Sequence, residues 1–162
     1  MNLDWTKYLL GGLFIIFLDQ ILLQHLSLWG IQFDALLLIL IWNLPLLKKT
    51  EALYIYGSLA FLQDALYDSW GLMLFSKTLV IVLFRTYLVN RNQGIIFSSQ
   101  FAVLTLAIAF THNTIYYLLS LITGGYASGL WPYTVLLLGA LYTTFLSFIL
   151  HKIIKSCCSE RL

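Results

Sequence analysis

The chain has 162 residues, 60% of them hydrophobic and only 10% charged, with a mean hydropathy of +0.88. A soluble domain of this length is roughly half apolar and a quarter charged, so this composition fits a bilayer as solvent. A net charge of +2 is too small to suggest a nucleic-acid partner, and the apolar runs leave no room for a soluble catalytic or binding domain.

A membrane span needs ~20 apolar residues with every backbone group paired internally. The alternation of apolar and polar residues that marks a barrel strand is absent. The sequence therefore predicts an all-α integral membrane protein with about six transmembrane helices, one polytopic domain covering 1–162. The first run, 8–29, follows Lys7 and lacks a small-residue cleavage signature, so it reads as a retained helix. It carries Asp19, Gln20, Gln24 and His25. Gln20 and Gln24 are four apart and share one helical face, which should look inward or toward a partner.

The second run, 33–47, opens near Asp34 and is short, with Pro45 weakening its end. Lys48 and Lys49 follow. The third run, 53–67, carries Gly57 and Asp64. Folding these two runs into a re-entrant hairpin would bury both lysines near the midplane at a cost of several kcal/mol, so two thin spans are expected. Gly71 opens the fourth run, 72–89, which holds Lys77 and Arg85 among its leucines. The fifth, 95–122, is broken by Thr111, His112, Asn113 and Thr114. At ~1.5 Å per residue, His112 falls ~26 Å from Ile95, near the far interface. Tyr116, Tyr117, Trp131 and Tyr133 would then form an aromatic belt. Pro132 suits the first turn of the sixth helix, 133–154.

Charge placement tests this count. Lys7, Lys48, Lys49, Arg91, Lys152, Lys155 and Arg161 fall at the N-terminus, the second and fourth connections and the tail. The first, third and fifth connections have no Lys or Arg. The positive-inside rule makes the basic side cytoplasmic, with both termini there.

Nothing in the chain supports catalysis: there is no phosphate-binding glycine loop, H-E-x-x-H or G-x-S-x-G. No catalytic residue, cofactor or metal is expected. His25 and His112 fall near the outer surface and could approach each other, and with Asp34 or Asp68 would make a metal site, but the spacing does not demand one, and interfacial histidines bonded to water or backbone are the simpler reading. The adjacent Cys157 and Cys158 read as reduced thiols. Asp64 and Lys77 are expected at comparable depth across the Asp68–Gly71 turn, as an ion pair that fixes orientation rather than a proton or substrate relay. Arg85 is expected to reach head groups. Gly139-x-x-x-Thr143 permits close helix contact.

The order of features resembles the rod-shape-determining MreD family. Trp29-Gly30 and Asp34-Ala35-Leu36-Leu37-Leu38 match the family's entry into a short second helix, with Phe33 where proline is usual. Tyr56 to Asp64 matches the third helix, with Ala60 where a second glycine is common, and Gly71 with Leu72 to Leu79 matches the opening of the fourth. The resemblance implies a non-enzymatic scaffold subunit of the bacterial cell-elongation machinery in the inner membrane. It would pair with the single-span partner MreC and reach cell-wall synthases and MreB filaments indirectly; a homodimer stays open. It also implies a fold similar to the substrate-binding subunits of energy-coupling-factor vitamin transporters. The rival reading is such a transporter subunit, using Asp19, Gln20, Gln24 and Lys77, although no internal repeat or pair of broken helices is visible.

Overall fold

A computed structural model describes residues 3–21, 34–92, 98–124 and 131–159. Among these residues are six α-helices and no strand: α1 (Leu3–Ile21), α2 (Ala35–Asn43), α3 (Lys49–Tyr67), α4 (Leu72–Asn92), α5 (Ser98–Ile122) and α6 (Trp131–Ser159). α4, α5 and α6 are each long and apolar enough to cross a membrane. The class is therefore helical and membrane-associated, as composition requires.

Side-chain contacts fix the directions of the helices. Lys77 meets Gln63, and Arg85 meets Leu47, so α3 and α4 are antiparallel. Phe101 stacks on His151 while Asn113 bonds Leu136, so α5 and α6 are antiparallel too. α1 runs beside α3 in the same direction, with Gly12 against Leu59 and Asp19 against Tyr67. Lys48, Lys49, Arg85 and Lys152 thereby gather at one end of the molecule, here called the basic end.

The helix boundaries differ from the sequence reading in informative ways. α3 begins at Lys49 rather than 53, because Glu51 accepts the Lys48 N–H at 3.1 Å and closes the first turn. α4 continues to Asn92 and α6 to Ser159. The far part of the first run, including Gln24 and His25, lies outside the described residues.

The largest departure is α2. Its nine residues rise about 13 Å, less than half of a ~30 Å hydrocarbon core. The helix expected over 33–47 is corrected in length: it is a short, central helix, and residues 44–47 of that stretch form a turn. Ala35, Leu36, Leu37, Leu38, Leu40 and Ile41 are all buried. They pack with Ile16, Ile55, Leu59, Val80, Ile81 and Ile108 in one apolar core. The reason is periodicity: ALLLILIW is apolar on every side, the mark of a helix enclosed by others rather than one with a polar face.

Two glycines show how closely the elements approach. A Cβ on Gly12 would collide with the Leu59 side chain, so α1 meets α3 there closely enough that a methyl group requires Leu59 to move. A Cβ on Gly57 would stand 3.9 Å from Leu74 Cδ1 and 4.0 Å from Thr78 Cγ2, an ordinary contact with α4.

Candidate functional site

A helix that starts and stops inside a membrane protein has free N–H groups at one end and free C=O groups at the other. Lipid cannot satisfy them. The polar residues of this chain are arranged around that problem.

At the start of α2, Asp34 divides its carboxylate. Oδ1 accepts the Leu37 N–H at 2.8 Å and caps the helix, while Oδ2 lies 2.8 Å from Lys77 Nζ. Lys77 is completely buried. Its ammonium also donates to Gln63 Oε1 at 2.7 Å and lies 3.7 Å from Met73 Sδ. Its three protons therefore face a carboxylate, an amide oxygen and a thioether. An ammonium this deep persists because its counter-charge and acceptors come from three different elements.

The expected partner of Lys77 was Asp64, and that pairing is corrected. Asp64 turns the other way. Its carboxylate accepts from Ser69 Oγ at 2.5 Å, from the Met73 N–H at 2.9 Å and from the Leu74 N–H at 2.8 Å. The physical reason is the turn itself. The residue before α4 is Gly71, which has no side chain to cap the helix, so the first donors of α4 take their acceptor from the end of α3. Asp68 (φ 54°), Trp70 (φ 50°) and Gly71 (φ 88°) all sit in the left-handed region. That conformation costs a non-glycine residue roughly 1–2 kcal/mol, and the Asp64 bonds hold the turn in it.

Three further groups extend the layer. His112 is buried, with Nε2 3.0 Å from Ser76 Oγ and 3.9 Å from Asp34 Oδ2, and Nδ1 3.2 Å from Asn113 Oδ1. Asn113 Nδ2 donates to the Leu136 carbonyl of α6 at 3.2 Å. On α1, Asp19 is buried and accepts from Tyr67 Oη at 2.9 Å, within electrostatic range of both Asp34 and Lys77. Gln20, next to it, is half-buried. All six helices thus contribute to one polar layer, counting Asp34 with α2.

The His112 side chain is buried and bonded to Ser76 and Asn113, rather than to water or backbone as the sequence suggests. α5 continues ten residues beyond it to Ile122, about 15 Å more, so His112 lies well inside the helix. Thr111 and Thr114 need no partner from outside, since each hydroxyl bonds the carbonyl four residues back, of Ala107 and Phe110. Among the described residues no group of three or more His, Cys, Asp or Glu side chains could hold a metal ion. The approach of His112 to Asp34 is shared with the Lys77 ammonium, which would repel one.

The other end of α2 is closed without a carboxylate. Tyr56, buried on α3, accepts from Asn43 Nδ2 at 2.8 Å and donates to the Ile39 carbonyl at 3.3 Å. Arg85 donates from Nε (3.1 Å) and Nη2 (2.8 Å) to the Leu47 carbonyl. Its guanidinium is therefore spent on the α2–α3 turn rather than on head groups alone. Lys77 and Arg85 are eight residues apart on α4, about 12 Å. That nearly equals the length of α2, so α4 reaches the start of the short helix through Lys77 and the turn beyond its end through Arg85.

Gly139 is buried in α6, and its carbonyl accepts from Thr143 Oγ1 at 2.9 Å. The small-residue pattern expected there is thus partly an internal hydroxyl-to-backbone bond.

Among the described residues this geometry defines an all-helical protein with three helices long and apolar enough to cross a membrane and a charged layer shut inside its core. No family model, curated protein or solved structure matches it.

Proposed function

We propose that this chain is a non-enzymatic membrane scaffold of the MreD type, a subunit of the bacterial cell-elongation machinery that pairs with an MreC-like single-span protein. In this reading the chain crosses the inner membrane six times, counting the passage through α2, with both termini and the basic end in the cytoplasm. Cell-wall synthases and MreB filaments are reached through the partner.

One observation carries the preference for a scaffold over a transporter subunit: the polar layer is closed. Asp34, Lys77, Gln63, Ser76 and His112 are engaged with one another. Beneath them, toward the basic end, Leu40, Ile41, Ile55, Leu59, Val80, Ile81 and Ile108 are buried, and the buried hydroxyls of Thr105, Thr143 and Tyr56 are closed as well, on the carbonyls of Phe101, Gly139 and Ile39. A proton or solute leaving the layer in that direction meets hydrocarbon side chains. Charges arranged in this way fix the packing of helices; they do not mark a route. The residue order quoted for the family, from Asp34 to Leu79, then supplies the particular assignment.

Depletion in a rod-shaped host separates the readings. Rounding of the cells, together with co-purification of a single-span periplasmic partner from detergent, is the expected result. Loss of uptake of a vitamin-like nutrient with cell shape intact would instead make the chain a transporter subunit.

A further inference from the structure

The turn between α3 and α4 holds one feature that neither the polar layer nor the scaffold role uses. Trp70 is 87% exposed while its backbone stands at φ 50°, a conformation that a bulky side chain rarely adopts. Its neighbours are tied down on both sides. The Asp68 and Ser69 N–H groups both reach the Asp64 carbonyl, the latter at 3.1 Å, and the Leu72 N–H reaches the Ser69 carbonyl at 3.0 Å. The Asp64 carboxylate holds Ser69, Met73 and Leu74. The turn is therefore built firmly around a residue whose own side chain packs on almost nothing. Glycine would fit this backbone without strain. The indole is thus presented, at a conformational cost, to whatever lies outside the chain.

Its position says what that is. Trp70 lies two residues before α4, a helix long and apolar enough to cross a membrane. Leu66 and Phe75, on either side of the turn, are also exposed. With α4 crossing a bilayer, the turn at its start would sit where hydrocarbon gives way to head groups. Indole suits that boundary, with an apolar ring and one N–H donor. We propose that Trp70 is a lipid-interface anchor: the ring docks among phospholipid head groups and fixes the depth of the α3–α4 hairpin, and with it the depth of Lys77. The anchor does not depend on which partner the protein has.

The test uses the whole chain in phosphatidylcholine vesicles with Trp70 as the sole tryptophan, Trp5, Trp29, Trp42 and Trp131 being replaced by Phe. Brominated lipids carrying the quencher near the head groups or deep in the acyl chains report depth. Blue-shifted emission, quenched several-fold more by the shallow bromines, is expected. Water-like emission that no brominated lipid quenches would overturn the proposal. So would quenching by deep bromines alone, or blue-shifted emission that none reaches, the sign of a covering protein surface. If the fourfold variant fails to fold, the difference between wild type and Trp70→Phe gives the same readout. A second arm uses Trp70→Gly in detergent. It should unfold no earlier than wild type, since the strain is gone, and marked destabilisation would show that the ring serves folding instead.

Discussion

The two ends of α2 solve one problem with different chemistry. At the Asp34 end the closure is ionic: a carboxylate, a completely buried ammonium, an amide and a histidine from four elements. At the Asn43 end it is a phenol bonded to a side-chain amide and a backbone carbonyl, with a half-buried guanidinium on the turn beyond. The ionic end lies one and a half turns inside α4, where water is remote. The other lies near Lys48 and Lys49, both exposed. The contrast teaches where charge is tolerated in this fold. Deep in the core a charge persists only with its opposite beside it, whereas near the basic end a lone cation bonded to a carbonyl suffices.

That difference gives the largest expected effect. Lys77→Met leaves the Asp34 carboxylate buried without its cation and should cost about 3–5 kcal/mol, the usual loss when one member of a buried pair is removed. Asp34→Asn keeps an oxygen to cap Leu37 but strands the ammonium, with a similar loss. Asp34→Asn combined with Lys77→Met removes both charges and should recover most of the stability. Unfolding of all four proteins in detergent closes the cycle. A double variant as unstable as the sum of the singles would mean that the two charges do not depend on each other.

A middle-sized effect is expected at the other cation. Arg85→Ala frees the Leu47 carbonyl, which accepts two charged donors, and should cost about 1–2 kcal/mol, toward the low end for a charged hydrogen bond because Arg85 is only half-buried. Arg85→Lys restores one donor and should recover part of the loss. Unlike the Lys77 case, no compensating carboxylate substitution should exist. A gain from replacing any acid elsewhere would break the asymmetry claimed for the two ends.

How far the sequence foretells this architecture depends on the range of each interaction. The helical class, the positions of α3 to α6 and the gathering of Lys48, Lys49 and Lys152 follow from apolar runs and charge placement, which are local signals. Asp34, Asp64 and Lys77 are recognisable as costly residues, but the choice of partner is not. Lys77 and Asp64 are 13 residues apart across a turn, and proximity in sequence favours them. Lys77 and Asp34 are 43 apart and meet only because the long Lys77 side chain reaches from α4 to the start of α2. The bare glycine before α4 does hold a legible clue that Asp64 is needed as a cap. Gly12 and Gly57 make the same point about packing: both are helical glycines in the sequence, yet only at Gly12 would a methyl group collide with a neighbouring side chain. That distinction depends on the approach of Leu59, which no local pattern encodes.

The smallest effect tests the neutral closure. Tyr56→Phe keeps the ring and its packing against the core but deletes the hydroxyl that joins Asn43 to the Ile39 carbonyl. Hydrogen bonds between side chains inside membrane proteins are worth ~0.6 kcal/mol on average, because the unfolded chain in lipid also finds partners. The carbonyl of Ile39 keeps its place in the helix, and Asn43 stands near the basic end, where water is closer. A loss of about 0.5–1 kcal/mol in detergent unfolding is therefore expected, several times less than for Lys77→Met. If Tyr56→Phe matched the ion-pair variants, the Asn43 end would be as dry as the Asp34 end, and depth would no longer explain why one closure is charged and the other is not.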